Sequence, residues 1–300
     1  MSKSEKAPEQ PAGLAAWVAG ARPRTLPASV VPVIVGTGVA AAHGSVVWWR
    51  AVIALVVSLA LQIGVNYAND YSDGVRGTDS DRVGPLRLTA SGTATPRAVF
   101  TAAMSSFGVA GVAGLVLAAS TSWWLLLVGA ASIAAAWFYT GGSSPYGYRA
   151  LGDVSVFVFF GLVAVVGTAF VASRHPAVTW LAIACAVPCG LLAVAVLVAN
   201  NLRDIPRDAQ TDKQTLAVLL GDRRTRLMYL ACIVVPFLVT IVLVVDRPWA
   251  AVALVAAPLA LAPTRQVMRG ASGRDLIAVL GATGRLQLGY GVLLAIGLAL

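Results

Sequence analysis

Residues 51–81 read AVIALVVSLALQIGVNYANDYSDGVRGTDSD. The first part, residues 51–68, is apolar over a length that crosses the hydrocarbon core of a bilayer as a helix. The remainder turns polar and contains four aspartates. The stretch therefore predicts a membrane-spanning helix that carries carboxylates to one membrane surface.

Apolar runs of similar length recur along the whole chain. We place them at 27–43, 51–68, 98–119, 123–140, 153–172, 179–200, 227–245, 249–263 and 282–300. The 300-residue chain is 58% apolar and only 12% charged, whereas a soluble surface needs roughly a quarter of its residues charged. The runs are continuous rather than alternating, which excludes barrel strands. We predict an all-α integral membrane protein with about nine transmembrane helices.

The N-terminal segment differs in character from the rest. Residues 1–20 form a polar tail that leads into a short interfacial helix around residues 14–21, and they lack the apolar core of a signal peptide. We expect residues 21–300 to form one transmembrane domain. The three cysteines lie inside apolar runs and the two histidines lie in separate short turns, which argues against thiol, zinc or histidine chemistry.

The distribution of basic residues predicts orientation. The net charge is +9, and cytoplasmic loops of membrane proteins collect lysine and arginine. With the N-terminus inside, only Arg50, Arg174 and Arg247 of the 22 basic residues fall outside. We therefore expect a multi-pass protein of the cell membrane whose N-terminus and active site are cytoplasmic, and no nucleic-acid partner.

Acidic residues concentrate in two stretches on the predicted inner side. In the first, Asn66, Asp70 and Asp73 are spaced i, i+4 and i+7 on one helical face. The second, residues 200–216, reads NNLRDIPRDAQTDKQTL and spaces one asparagine and three aspartates four residues apart. Pro206 should kink or restart the helix there. Each stretch begins with an asparagine at the end of an apolar run, which favours a built site over solvated loop charges.

Clustered carboxylates repel one another unless a cation holds them, and Mg²⁺ prefers carboxylates together with substrate phosphates. We predict two Mg²⁺ ions. The expected metal ligands are Asn66, Asp70, Asp73, Asp204 and Asp208, of which the four aspartates are also the predicted catalytic residues. Basic residues between them would bind a diphosphate through charge-assisted hydrogen bonds. These are Arg76, Arg82, Arg87 and Lys213, with Arg203 and Arg207 nearby.

The motifs NDYSDGVRGTD from Asn69 and DIPRD from Asp204 resemble the two acidic motifs of the UbiA superfamily of membrane prenyltransferases. Four longer segments narrow the resemblance to its menaquinone-pathway branch, the 1,4-dihydroxy-2-naphthoate polyprenyltransferases. They are ARPRTLPAS from residue 21, the first motif followed by GPLRL from 84, YTGGSSPYGYRALGD from 139, and NNLRDIPRDAQTDKQTLAVLLGD from 200. The chain departs from the pattern at Gly77, where the wider superfamily has aspartate, with the last acid late at Asp79, and at Asp212, where this branch has glycine.

The resemblance implies helices arranged around a central cavity that opens to lipid. It also implies transfer of a polyprenyl chain from its diphosphate to 1,4-dihydroxy-2-naphthoate, with loss of diphosphate and carbon dioxide, to give demethylmenaquinone. An aromatic carboxylate needs a basic partner, for which we name Arg22 first, then Arg24 or Arg149. The expected substrate-binding residues are Arg22, Asn69, Tyr139, Tyr146, Arg149, Asn200 and Asn201.

Three other functions remain open on the sequence. One is a different aromatic prenyltransferase of the same superfamily. Another is a CDP-alcohol phosphatidyltransferase, whose acidic motif begins as Asp70, Asp73 and Gly74 do but should not continue with Gly77 and Thr78. The third is a transporter, although transporter acids lie near the membrane midplane and these lie at the ends of spans.

Overall fold

The computed structural model describes residues 13–44, 46–77, 86–211 and 213–300. Over these ranges the chain is helical, and its only extended pairing is two isolated bridges. The helices are α1 (Leu14–Gly20), α2 (Pro27–Ala42), α3 (Trp48–Arg76), α4 (Pro96–Ser120), α5 (Trp124–Phe138), α6 (Gly152–Ala172), α7 (Trp180–Asp208), α8 (Leu216–Asp246), α9 (Pro248–Met268) and α10 (Asp275–Ala299). The all-α prediction is confirmed, and the division at residue 20 stays a prediction.

Within the described ranges, seven helices are long and apolar enough to cross a membrane, namely α3, α4 and α6 to α10. The bent pair Leu14–Thr25 and Pro27–Ala42, whose two parts meet at 53°, gives an eighth span if it is counted as one. Helix α5 is apolar but has only 15 residues, which is shorter than a usual span of about 20 residues. Each of the nine apolar runs thus corresponds to one of α2 to α10, and the protein is a multi-pass membrane protein.

Several helices approach one another closely through glycine, as is common in membrane bundles. A Cβ on Gly36 of α2 would lie 2.6 Å from the carbonyl oxygen of Val165 in α6. A Cβ on Gly161 of α6 would lie 2.8 Å from the carbonyl oxygen of Ala186 in α7. The middle of α6, Phe157–Val166, is wound as a π-helix at these contacts.

The main core lies among α2 and α6 to α10. Two buried hydroxyl pairs cross it, Tyr229 with Thr283 at 2.7 Å and Tyr290 with Thr240 at 2.6 Å. The three cysteines, Cys185, Cys189 and Cys232, are free and buried there, in keeping with a packing role. Helices α3, α4 and α5 flank this core, and α6 forms the boundary between the two halves.

Connections from different parts of the chain meet at each end of the bundle. At one end Arg50 donates hydrogen bonds to the carbonyl oxygens of Ser120 and Ser173, at 2.7 and 3.5 Å. We call this the far end of the bundle. At the other end the connections after α1, α3, α5 and α7 come together, and they contain the predicted site residues. We call this the site end.

Candidate active site

The first acidic cluster lies on the site end of α3. This helix continues past the apolar run and ends only at Gly77, whose φ of 73° is the left-handed conformation that terminates helices. Asp70 on this extension is 1% exposed. Its carboxylate accepts hydrogen bonds from the backbone N–H groups of Leu88 and Thr89, at 2.8 and 2.9 Å. Asp70 therefore holds the turn before α4 against α3.

Asp73, three residues further along α3, connects to two other segments. The Tyr148 hydroxyl donates to one oxygen of Asp73 at 2.6 Å. The Nη2 atom of Arg87 lies 3.7 Å from the other oxygen. Both Asp73 and Arg87 are buried, so this basic residue faces the first cluster.

Tyr148 joins the first cluster to the second. Its ring lies 5.7 Å from the Lys213 Nζ atom and 5.7 Å from the Arg76 guanidinium carbon, both within cation–π range. The same Lys213 nitrogen lies 3.4 Å from Oδ2 of Asp208. The backbone adds to this link, because Gln214 donates to the Tyr148 carbonyl at 3.0 Å. The two acidic clusters thus meet around one tyrosine.

The second cluster lies on the site end of α7. This helix passes through Pro206 and ends at Asp208, so it does not restart at the proline. Arg203 donates from Nε and Nη2 to the two oxygens of Asp204, at 2.7 and 2.8 Å. Its Nη2 also donates to the Asn200 side chain at 2.8 Å. Because the Arg203 side chain is only 5% exposed, its charge is compensated inside the protein by Asp204.

Asn66 connects the first cluster to the N-terminal turn. Its amide nitrogen donates to the Ala21 carbonyl at 2.8 Å and to Thr25 Oγ1 at 3.1 Å. Its oxygen accepts from Gln62 at 3.3 Å. Arg22 directly follows Ala21 in the chain and has a left-handed backbone conformation, with φ 53°. Asn66 therefore positions the turn that carries Arg22, and its metal role stays a prediction.

Other predicted residues surround the connection between α5 and α6. Asn69 accepts a hydrogen bond from Thr140 at 2.6 Å. Arg76 donates to the backbone carbonyls of Thr140 and Gly142, so its guanidinium stabilises the connection between α5 and α6. Arg149 is exposed, whereas Asn201 is buried on α7. Arg82, Asp79, Asp81 and Asp212 lie outside the described residues.

A cavity of about 300 Å³ begins at this end of the molecule. Asn66, Asn69, Tyr139 and Tyr146 form its polar end. Beyond them its walls are mostly apolar and come from α3, α4, α5 and α6, with Val33 from α2. The lining of α3 runs from residue 54 to residue 69, which is about 22 Å along a helix axis. The cavity is therefore long and apolar, with one polar end.

The two cavity tyrosines join the polar end to the acidic clusters. Their rings meet edge to face, with centroids 5.5 Å apart. The Tyr146 hydroxyl donates to the Ala135 carbonyl at 2.8 Å, and burial raises the pKa of Tyr146. Tyr146 belongs to the same short turn as Tyr148, and Asn69 of the cavity lining directly precedes Asp70 on α3. The polar end of the cavity therefore adjoins the segments that hold the two clusters together.

Comparison with known proteins agrees with this geometry. Residues 29–295 match the model of the UbiA prenyltransferase family. This chain belongs to the UbiA prenyltransferase family. Among its relatives is the 1,4-dihydroxy-2-naphthoate octaprenyltransferase of Mycobacterium tuberculosis, which is 56% identical over 96% of this chain and 98% of that protein.

Solved structures of UbiA homologues share the fold. One from Aeropyrum pernix has a TM-score of 0.69 at 16% identity, covering 90% of this chain and 96% of that chain. One from Archaeoglobus fulgidus, bound to DMAPP and Mg²⁺, has a TM-score of 0.61 at 16% identity, covering 93% and 99%. The predicted UbiA-like fold is confirmed.

The donor set of this UbiA-family chain fits Mg²⁺ bound together with a substrate. No group of three or more acidic, histidine or cysteine side chains in the described ranges is arranged as a ready-made metal cage. Mg²⁺ does not require one, since it commonly takes one or two carboxylates and completes its shell with phosphates and water. Buried Asp70, Asp73 and Asp208 supply hard oxygen donors of that kind.

Sequence reasoning placed too little weight on three residues. The sequence marks Arg203 only as a base near the diphosphate, and it does not single out Tyr148 or Thr140. The signal for Arg203 was available, since it lies three residues after Asn200 and directly before Asp204. The link from Tyr148 to Asp73 joins residues 75 positions apart, and no local pattern reveals it.

Proposed function

We propose that this protein transfers a polyprenyl chain from polyprenyl diphosphate to 1,4-dihydroxy-2-naphthoate. Diphosphate and carbon dioxide leave, and the product is demethylmenaquinone, formed as its quinol. The observation that carries the proposal is the meeting of two acidic clusters around Tyr148 at the polar end of a long apolar cavity. The name of the Mycobacterium tuberculosis relative supports the choice of acceptor.

In this proposal the carboxylates of Asp70, Asp73 and Asp208 hold two Mg²⁺ ions, together with Asp204 after its release from Arg203. Bound Mg²⁺ supplies charge neutralisation for the departing diphosphate. Lys213 and Arg87 lie beside Asp208 and Asp73, where they bind diphosphate oxygens, and Arg82 is proposed for the same role. Arg76 is proposed there too, after release from the carbonyls that it contacts.

The cavity accounts for the remaining requirements of the reaction. Its apolar walls hold the polyprenyl tail and keep water from the allylic carbon as the carbon–oxygen bond breaks. The departing diphosphate takes the electrons of that bond. A ring carbon then bonds to the allylic carbon at the position that carries the carboxylate. Loss of carbon dioxide returns an electron pair to the ring and restores its aromaticity.

The acceptor binds at the polar end of the cavity in this proposal. Arg22 supplies the positive charge for the carboxylate, from the turn that Asn66 holds. Asn69, Tyr139 and Tyr146 line the adjoining surface and offer neutral hydrogen-bonding groups. Asn200, Asn201 and Arg149 complete the proposed set.

We also propose that the site end faces the cytoplasm of the cell that makes this protein, with the protein in the cell membrane. The support is the positive-inside tendency. Among the described residues at the far end, the basic side chains are Arg50, Arg174 and Arg247, and those at the site end are far more numerous.

The test uses the purified full-length protein with Mg²⁺, octaprenyl diphosphate and a panel of aromatic carboxylates. Asp73→Asn and Asp208→Asn should each lower kcat by about a hundredfold or more, since each removes charge where the leaving group develops its own. Asp246→Asn is the matched control, because that aspartate is exposed at the end of α8 on the far side. Wild-type rates in both site variants, or prenyl transfer that persists in excess EDTA, would contradict the proposal.

A further inference from the structure

Three glycines line the cavity on three successive helices, Gly114 on α4, Gly129 on α5 and Gly167 on α6. A Cβ added to any of them would meet no atom within 4 Å. Glycines at close helix contacts differ from these three, since a Cβ on Gly64 would lie 2.5 Å from the Phe107 ring. The three cavity glycines are therefore not needed for close helix packing. Glycine inside a helix costs about 0.5–1 kcal/mol relative to alanine, so their presence calls for another explanation.

The three glycines lie at a similar depth. Gly114 precedes the end of α4 by six residues, Gly129 follows the start of α5 by five, and Gly167 precedes the end of α6 by five. At 1.5 Å per residue, each lies about 8–9 Å from the far end. The polar end of the cavity, with Asn69 and Tyr139, lies at the opposite end. The glycines form a ring around the deep part of the cavity, which we call the glycine ring.

Apolar side chains also line this deep part of the cavity. Val33, Ala54, Leu117 and Val171 form a buried cluster, and Leu125 packs against it. All five also line the cavity. Leu117, Leu125 and Val171 lie nearer the far end than the glycine of the same helix. The deep part of the cavity thus has an apolar lining to which three helices contribute a position without a side chain.

We propose that the glycine ring determines how long a prenyl chain this enzyme accepts. This inference rests on the proposed function, in which the diphosphate lies at the polar end and the tail extends toward the far end. A short allylic diphosphate ends before it reaches the ring, whereas a polyprenyl tail extends through it. Because Gly114, Gly129 and Gly167 have no side chains, the cavity is wide enough at this depth for the far isoprene units of the tail. The ring therefore selects long-chain polyprenyl diphosphates.

The test compares the full-length wild type with Gly114→Leu, Gly129→Leu and Gly167→Leu. For each protein kcat/KM is measured with geranyl, farnesyl, geranylgeranyl and octaprenyl diphosphate and one acceptor. The ratio of octaprenyl to geranyl kcat/KM should fall by about tenfold or more, because overpacking a filled apolar pocket has an effect of that order. Gly111→Leu is the matched control. It lies one turn earlier on α4, is exposed, has open space at its Cβ and does not line the cavity.

Alanine variants at the same three positions give a second measurement. They should shift the same ratio in the same direction by a smaller factor, and they decide the question if a leucine variant does not fold. An unchanged ratio in all ring variants, an equal loss for short and long substrates, or an equal shift in Gly111→Leu would overturn the inference. A wild type that transfers none of the four prenyl chains would instead refute the proposed function.

Discussion

Tyr148 is the residue whose side chain most directly connects the two acidic clusters. Its hydroxyl donates to Asp73, and its ring lies beside the cations of Arg76 and Lys213. Two separate tasks are thus combined in one side chain. The hydroxyl fixes the rotamer of a carboxylate, and the ring places Lys213 next to Asp208.

Removing only the hydroxyl separates these tasks. Tyr148→Phe should lower kcat/KM for prenyl transfer by about tenfold or more, because a hydrogen bond to a charged group contributes roughly 1.5–3 kcal/mol. It should also raise the Mg²⁺ concentration needed for half-maximal rate, since Asp73 loses its orientation. Tyr229→Phe is the control, because it removes a buried hydroxyl contact of 2.7 Å with Thr283 in the packed half. An equal effect of the two variants on the Mg²⁺ dependence would show that Tyr148 acts only through stability.

Individual residues were predictable to different degrees. The spacing of Asp70 and Asp73 on one helical face was visible in the sequence, because a helix repeats every 3.6 residues. The partners of Asp70 were not, since Leu88 and Thr89 are reached only after the chain leaves the helix and returns. Arg76 shows the same limit, for its charge suggested phosphates whereas the folded chain directs it to the carbonyls of Thr140 and Gly142.

At the scale of elements, apolar runs located the spans better than they located helix ends. The runs ending at residues 68 and 200 continue as helix to Arg76 and Asp208. Pro206 does not end the second of these extensions, and polar residues are compatible with helix outside the membrane. Helix α8 begins at Leu216, well before the apolar run at 227, because Thr215 caps it by accepting a hydrogen bond from the Val218 N–H. Hydropathy reports the membrane boundary, whereas caps and glycines set the helix boundary.

Helix α8 contains a break that hydropathy cannot detect. Gly221 has φ 72° and ψ 172°, a conformation far from helical and disfavoured for residues with a Cβ. Gly221→Ala should therefore destabilise the purified protein by about 1–3 kcal/mol. Gly284→Ala on α10 is the matched control, since that glycine lies inside a regular helix with open space at its Cβ, and it should be neutral or stabilising. Thermal unfolding in detergent measures both, and a lower melting temperature for Gly284→Ala than for Gly221→Ala would contradict this account.

At the scale of the whole molecule, the two halves of the bundle differ in how they are filled. The half around α7 to α10 is closely packed and contains the largest buried side chains, such as Tyr229 and Tyr290. The half around α3 to α6 encloses the cavity. Composition could predict a membrane bundle, because apolar length is a local property. It could not predict which helices leave a gap, since that depends on side chains from five helices.

The proposed orientation of the bundle rests on its charge and can be tested directly. Ser144 is exposed in the connection before Tyr148 at the site end, and His175 is exposed between α6 and α7 at the far end. The three native cysteines are buried, so an introduced cysteine supplies the reactive thiol. In right-side-out vesicles a membrane-impermeant maleimide should label His175→Cys and leave Ser144→Cys unlabelled until the membrane is permeabilised, because basic connections remain on the cytoplasmic side. The reverse labelling pattern would place the acidic clusters outside and contradict the cytoplasmic assignment. The wild-type protein should not be labelled, since labelling would mean that a native cysteine reacts.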